Sequence, residues 1–583
     1  MNLYASSNAG ESATNRKSAW TCLSLLAGAY ALLHVSIALS IPSFEPATHN
    51  DDWVYVHPVE QLWLGNGLRL HPITAALALP QVFAGWGLCE LRGELSYSLL
   101  RNGMVVCGIV PVWLMWGLMR RLGFSAAHAI AGGLLLMVNP LMVSMTWSFQ
   151  TDVPFLGFLL LGLWSLLVAE DPAQRRWACP LAVTSLLLAS LTRQTGLFIT
   201  LAAVIYLVQR RRWGMAAAVG LTIPLTMLAE RYFIAQSSLV YLLYAQSTLA
   251  TGLKSFTVGR GFLCLYEGAH FAAFLGLFVL PIIVMHPLVM THRRWLAACV
   301  ALMLAVFFLD RATGLSMFPG NYFNVGEHVN GYFSLGPVTI SQEDVTAALA
   351  MPRTPAPLRG VVVQWIKLTA LVVGAFMLAR LILAVRESVR GIWHRTERPW
   401  LLVELTVLLS LLSVLTISVF IGRKPFDKYL IITVPVIIAL SFPQELSPRK
   451  LRWLVLPFAL ILAVVSYVGV VDYWHWNAAR WEAIAKLESQ GIDSPRIDGG
   501  YEYNAIHDTL FVPPEVIKFL RERGKLPERW GRSRTPSEGE MYTVEAEPRR
   551  STDEIVFRIP YTTPLDSNPR HVIVSKKTLS RVK

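Results

Sequence analysis

Apolar runs dominate the chain, and short basic clusters separate them. The first run, Ala19 to Ile41, follows a polar stretch of residues 1–18 that carries Arg16 and Lys17. It is long enough to span the hydrocarbon core of a bilayer. A cleaved signal peptide would have a shorter apolar core and a small-residue cleavage site. The run therefore reads as an uncleaved first helix with its N-terminus in the cytoplasm. Basic clusters then recur at Arg120-Arg121, Arg175-Arg176, Arg210-Arg211-Arg212, Arg293-Arg294, Arg386 to Arg398 and Arg449-Lys450. By the positive-inside rule each marks a cytoplasmic turn, and between two clusters the chain must go out and come back. The runs predict spans at 98–119, 124–145, 153–169, 178–191, 196–209, 213–233, 265–288, 295–309, 361–385, 400–421, 429–444 and 452–471. With the first helix this makes about thirteen crossings, an odd number that leaves the C-terminus outside.

One stretch decides the sidedness of everything after it. Between Arg176 and Arg210 lie 33 mostly apolar residues, interrupted by Leu191-Thr192-Arg193-Gln194-Thr195-Gly196. A single helix of that length would run ~50 Å, well beyond the ~30 Å core. It would also put the Arg210 cluster outside. Two short helices meeting at Arg193 to Gly196 fit both length and charge, with Thr195 and Gly196 marking the turn.

The outward segments are then 42–97, 146–152, 234–264, 310–360 and 422–428, with a tail from 472. The tail is polar. It reads as a helix from Trp474 to Gln490, a turn at Gly491 and Pro495, and strand-like runs at Glu554 to Ile559 and His571 to Val574. The predicted fold is an all-α polytopic membrane protein, spanning 19–471, with a small extracytoplasmic α/β domain over 472–583.

Composition agrees with the pattern. Hydrophobic residues make up 54% and charged residues only 15%, against about 25% charged in soluble domains. Mean hydropathy is +0.47. This excludes a secreted, fibrous or disordered chain. The net charge of +13 falls in the cytoplasmic clusters, so it argues for topology and against nucleic acid. The six cysteines form no CxxC pair and read as buried small hydrophobes, with a pairing of Cys89 and Cys264 outside the membrane as the alternative.

In so apolar a chain, the few outward charges carry the chemistry. Asp51 and Asp52 follow the first crossing in Asn50-Asp51-Asp52-Trp53-Val54-Tyr55. They also suit the N-cap of a helix over Trp53 to Leu64. The next outward turn, Trp147-Ser148-Phe149-Gln150-Thr151-Asp152-Val153-Pro154, holds a lone carboxylate that suits the first turn of the returning helix. Arg193 sits on an apolar hairpin, where a charge costs ~2.5–3.5 kcal/mol on insertion scales. It either snorkels to the interface or has a partner: a carboxylate of the site or a phosphate. Acids and a cation on one side suit transfer from a phosphate-linked donor. A carboxylate takes the proton of an attacking hydroxyl, and a fixed cation meets the charge of the departing phosphate.

The order of these pieces resembles a family. Asp51-Asp52-Trp53-Val54-Tyr55, His71-Pro72, Asn139-Pro140, Thr151-Asp152-Val153-Pro154, Thr192-Arg193-Gln194 and Pro425-Phe426-Asp427-Lys428-Tyr429-Leu430 are similar to motifs of the lipid-donor glycosyltransferases of the GT-C fold. The nearest pattern is that of family-39-like enzymes, which include protein O-mannosyltransferases and the aminoarabinose transferase of lipid A. Ile497-Asp498-Gly499-Gly500-Tyr501-Glu502 is similar to a tail segment of some bacterial members. The resemblance covers about residues 19–505 and rests on shared order and sidedness, since each motif is short.

It implies a polyprenyl-phosphate sugar as donor and a lipid, glycan or protein as acceptor, with transfer by inversion. Asp51 or Asp52 would be the base. The family's acidic pair is usually Asp-Glu, and its first position favours Asp51. Asp152 would orient acceptor or sugar, and Arg193 with Lys428 would hold the phosphate. Tyr55, His71, Gln150, Gln194 and Tyr429 would line the substrate site. The resemblance implies no metal, although two acids on neighbouring loops could hold a divalent cation through oxygens. Absence of any Asn-x-Ser/Thr acceptor favours a bacterial inner membrane, with the site facing the periplasm. A transporter or lipid flippase is the main rival, but no symmetry relates the two halves. A lipid-linked glycan polymerase or ligase is another, which a larger late outer loop would favour.

Overall fold

The computed structural model describes residues 11–46, 48–49, 51–71, 74, 76–237, 258–313, 361–393, 398–421, 427–507, 539–546, 554–564 and 566–579. Most of the predicted 310–360 loop lies outside the described residues, as do Asn50, Pro72 and Pro425.

Helices form where the apolar runs predict them. They are α1 (Glu11–Ser40), α2 (Asp52–Trp63), α3 (Leu79–Arg92), α4 (Tyr97–Cys107), α5 (Ile109–Arg121), α6 (Ala126–Met137), α7 (Pro140–Thr146), α8 (Asp152–Val168), α9 (Arg175–Thr192), α10 (Gly196–Gln209), α11 (Trp213–Ser237), α12 (Val258–Leu277) and α13 (Arg293–Thr313). After them come α14 (Val361–Trp393), α15 (Trp400–Ile421), a 3-10 helix (Asp427–Ile432), α16 (Val434–Ser441), α17 (Pro448–Ser489) and α18 (Tyr501–Ile506). Their outer faces carry exposed apolar side chains, such as Leu25, Leu32 and Leu39 on α1 and Leu221, Leu225 and Leu228 on α11. Such a surface is stable in lipid and a liability in water. The chain is an integral membrane protein.

Against the thirteen crossings that the runs predict, five described helices are long and apolar enough to span alone, or six if α6 and α7 form one bent span. The remaining apolar helices are shorter or broken. The predicted 124–145 span is one of these: α6 and α7 meet at 59°. Asn139 cams the bend chemically, because its Oδ1 accepts from Leu141 N (3.0 Å) and Met142 N (3.4 Å) as the N-cap of α7. Pro140 fits the first position of that helix. The predicted 98–119 span is one of the five, running from Tyr97 to Arg121 through α4 and α5; at Gly108, between them, an added Cβ would collide with Tyr30 and with Thr146, 2.9 Å away. The glycine lets α1, α4 and α7 approach closely.

α9 and α10 form the hairpin that length and charge predict. Arg193 is extended (φ −147, ψ 139) at the end of α9, and α10 starts at Gly196. Gly196 is there for space: its Cβ would lie 2.8 Å from the backbone N and Cα of Ser190.

The start of the tail departs from its prediction, while both predicted strand-like runs form strands. No separate helix starts at Trp474. α17 runs unbroken for 42 residues, and the predicted boundary at 472 falls inside it. Its exposed apolar residues, Trp453, Leu456, Leu460, Ile461 and Val464, stop at Val464, and the buried set from Ser466 onward faces protein instead. Strands β1 (Ile497–Asp498), β2 (Gly539–Ala546), β3 (Glu554–Thr563) and β4 (Asp566–Leu579) form one sheet in the order β1-β2-β4-β3. β1 pairs parallel to β2, and the other neighbours are antiparallel. The sheet packs on α17, and Val544, Ile559 and Val572 share one apolar cluster with Trp474 and Ile484 of α17, Ile37 of α1 and Val143 of α7.

Candidate active site

After α1 the chain passes through Thr48 and His49 to Asp51, which occupies the N-cap position of α2. The side chain makes no cap bond. Asp51 Oδ2 instead accepts from Lys428 Nζ at 2.9 Å. Lys428 comes from the 3-10 helix Asp427–Ile432, which packs on α7, α8, α15 and α16. Its ammonium also donates to Gln150 Oε1 at 3.0 Å, and Gln150 Nε2 donates to the His49 carbonyl at 3.0 Å. Lys428 and Gln150 are buried, whereas the Asp51 side chain is 31% exposed. The carboxylate is therefore reachable while its cation is held in place.

A second pair stands beside the first. Asp152 opens α8, two residues after Gln150, and again makes no cap bond of its own: the N-cap is Thr151. Arg193, at the tip of the α9–α10 hairpin, donates through Nη1 to Asp152 Oδ1 in an ion pair. The guanidinium also lies over the ring of Tyr429, 5.3 Å from its centroid, where the ring quadrupole favours a cation. Tyr429 directly follows Lys428. Tyr55 on α2 ties the pairs together. Burial pushes its phenol up to about 12, Asp51 and Asp152 add to the rise, and Arg193 and Lys428 oppose it. All four charges thus act on one hydroxyl. They sum to zero, and each cation is held by a carboxylate.

The structure separates the two adjacent aspartates. Asp52 is buried, and its Oδ2 accepts from the His49 amide at 3.1 Å. Burial pushes its carboxyl well above the usual range, and the neighbouring Asp51 adds to this; the amides of Phe149 and His49 and the charge of Arg101 work the other way. Asp52 braces the loop, and Asp51 faces the site. His71 packs edge-on against Trp53 at 4.8 Å and His57 at 5.1 Å, and burial first, then His57, pulls its imidazole down to about 3. Gln194 points to α11, donating to Glu230 Oε1 at 3.1 Å. Among the described residues, no group of three or more His, Cys, Asp or Glu side chains gathers as a metal site would need.

Several residues of the site went unread. Gln81 on α3 holds the Gln150 turn by donating to the Phe149 carbonyl at 2.7 Å. Arg101 lies buried over Trp474 (4.6 Å) and Trp147 (5.7 Å). A charge inside the predicted 98–119 span was the signal for Arg101, and the lone acid in the 213–233 span was the signal for Glu230. Gln81 offered none.

Residues 82–229 match the family model described as dolichyl-phosphate-mannose-protein mannosyltransferase. The match takes in Gln150, Asp152, Arg193 and Gln194 and stops short of Asp51 and Lys428. No curated protein matches the chain. Among solved structures the chain is similar to ArnT from Cupriavidus metallidurans bound to undecaprenyl phosphate, at 13% identity and TM-score 0.44, over 94% of this chain and 97% of that one. It is also similar to the oligosaccharyltransferase AglB from Archaeoglobus fulgidus in complex with an inhibitory peptide and a dolichol-phosphate, at 14% identity and TM-score 0.39, over 81% and 60%. The S. cerevisiae protein O-mannosyltransferase complex bound to the sugar donor matches at 15% identity and TM-score 0.27, over 39% and 32%. Over residues 82–229 the family match bears out the resemblance that the motifs carry.

Proposed function

We propose that this chain is a membrane glycosyltransferase, akin to the family-39-like enzymes, that moves a sugar from a polyprenyl-phosphate donor to an acceptor hydroxyl. The observation that carries the reading is the part-exposed Asp51 carboxylate held by buried Lys428, beside the Asp152–Arg193 pair. The matched family's description names a dolichyl-phosphate sugar, which supports a polyprenyl-phosphate donor. The basic clusters at the opposite ends of the helices support an extracytoplasmic site, as on the periplasmic face of a bacterial inner membrane. Nucleotide sugars are cytoplasmic, so a lipid-linked donor fits that face.

In the proposed reaction the acceptor oxygen attacks the anomeric carbon from the side opposite the phosphate. The acceptor proton passes to Asp51, the new C–O bond forms, and the old bond breaks with its electron pair going to the phosphate. A single displacement inverts the anomeric centre. The departing phosphate monoester needs cations more than an acid, and Lys428 and Arg193 supply them. Asp152 engages one nitrogen of Arg193, and a guanidinium has five N–H donors, so the pair and a phosphate can be held together. Asp152 also orients acceptor or sugar, and Gln150, Tyr55 and Tyr429 shape the site. Asp52 keeps the loop in place. Side chains alone supply every group this scheme requires.

Cells lacking the protein test the reading. They should accumulate one lipid-linked sugar, and the purified protein in detergent should discharge it onto an acceptor. A flippase would also cause accumulation, but it cannot discharge the sugar in detergent, where there are no sides. Accumulation without discharge would move the chain to the transporters.

A further inference from the structure

The segment that carries Asp51 is held from behind. Asn477 on α17 donates from Nδ2 to the Thr48 carbonyl at 2.7 Å. Its Oδ1 accepts from Arg480 Nη2 at 2.8 Å, and Arg480 Nη1 donates to Glu502 Oε2 at 2.7 Å. All three side chains are buried. On the other side of the same segment, the His49 carbonyl accepts from Gln150, which accepts from Lys428, which donates to Asp51. The His49 ring also packs edge-on against Tyr473 of α17 at 4.6 Å. One line of polar contacts therefore runs from the C-terminal segment to the proposed base.

The turn before Glu502 is built to close over Arg480. Gly500 has φ +89, a left-handed conformation, and a Cβ there would lie 2.8 Å from Arg480 Nη1. A Cβ on Gly499 would lie 2.6 Å from the Tyr503 ring. Asn504 locks the turn: its Oδ1 accepts from Gly499 N at 3.2 Å and its Nδ2 donates to Asp498 Oδ1 at 2.6 Å. These contacts account for Asp498, Gly499, Gly500 and Glu502 of the tail motif, which the proposed reaction leaves unused. Apolar packing alone would hold the sheet on α17. A buried ion pair adds little net stability, and its best-attested use is to fix register.

We propose that Asn477, Arg480 and Glu502 are positioning residues that set, through Thr48 and His49, where the Asp51 carboxylate stands. The inference rests on the proposed function only in naming Asp51 as the base; the mechanical part stands without it.

Hydrogen exchange on the full chain in nanodiscs tests the mechanical part with no substrate. In Asn477→Ala and in Glu502→Gln, amides of Thr48, His49 and the first turn of α2 should exchange about fivefold faster or more, while those of α8 and β4 keep their rates. Unchanged exchange at the segment overturns the proposal, and so does an equal rise everywhere, which would assign these residues to general stability. Transfer kinetics with the accumulated lipid-linked sugar test the catalytic part. Both variants should lose about tenfold or more in kcat with KM within about twofold, since a misplaced base slows chemistry and not binding. Combining Asn477→Ala with Gln150→Ala should cost less than the product of the single losses, because both act on His49. A loss confined to KM, or full additivity, overturns it. Wild-type protein without transferase activity would sink the proposed function and leave the exchange result standing.

Discussion

Lys428 Nζ and Asp51 Oδ2 stand 2.9 Å apart although 377 positions separate them in the chain. The contact joins the segment after the first helix to a 3-10 helix near the last, so the site closes only when both ends of the membrane region have folded. Lys428→Met should leave the part-exposed Asp51 with some solvation and so cost modest stability. It should lower transfer by ~10²-fold, as expected when a fixed cation at a developing charge is removed. Lys428→Arg should recover part of that rate. Assay of single-turnover transfer together with detergent melting separates the two effects.

The Asp152–Arg193 pair is more deeply buried than the first, with side chains 1% and 11% exposed. Removing one partner of such a pair costs about 3–5 kcal/mol, and removing both costs less. Arg193→Ala and Asp152→Ala should each lower the melting temperature, and the double variant should recover part of the loss. Arg193→Lys should keep most of the stability yet weaken binding of a polyprenyl phosphate by ~10-fold, because a lysine cannot reproduce bidentate hydrogen bonds to phosphate. Unchanged binding with a loss confined to stability would assign Arg193 to structure alone.

Asp52 behaves oppositely to a paired acid. Burial raises its carboxyl pKa in the folded state, so the native protein holds a proton that the unfolded chain gives up earlier. The stability this confers is present below the unfolded pKa and is lost as pH rises through the folded value. Asp52→Asn should therefore match wild type in acid and become the more stable protein as pH rises. Thermal melts between pH 4 and 8 check this; a variant less stable than wild type at pH 8 would contradict it.

Gly196 predicts a purely steric effect. Gly196→Ala puts a Cβ 2.8 Å from backbone atoms of Ser190, which cannot rotate away. The hairpin tip should open at a cost of about 1–3 kcal/mol, the usual range for overpacking. Melting of the variant in detergent measures it, and an unchanged midpoint would show that the hairpin relaxes freely.

The sequence made the membrane part legible because burial in lipid has one requirement, apolar length, and one directional cue, the basic clusters. The α9–α10 hairpin followed from those two alone. The bend at Asn139 was written in Asn139-Pro140, a cap followed by a first-turn proline, yet the dipeptide reads equally as a family motif. The continuity of α17 was hidden, because its surroundings change from lipid to protein after Val464 while the backbone stays helical. Composition reports the surroundings and not the helix. Candidate site residues were legible as scarce charges in an apolar chain. Their pairing was not: nothing in a linear pattern says that Asp51 meets Lys428, or that Asp52, one residue on, turns inward to the His49 amide. Asn477 and Arg480 escaped notice because in a polar tail such residues look like surface, and Glu502 stood out only as part of a short motif with no partner to give it a role.

The central claim is that Asp51, and not Asp52, is the base of a glycosyl transfer from a lipid phosphate. Single-turnover transfer of the accumulated lipid-linked sugar by purified wild type, Asp51→Asn and Asp52→Asn tests it most directly. The account predicts a fall of ~10²-fold or more for Asp51→Asn, with Asp52→Asn close to wild type. Full activity in Asp51→Asn, or a loss found only in Asp52→Asn, would contradict it.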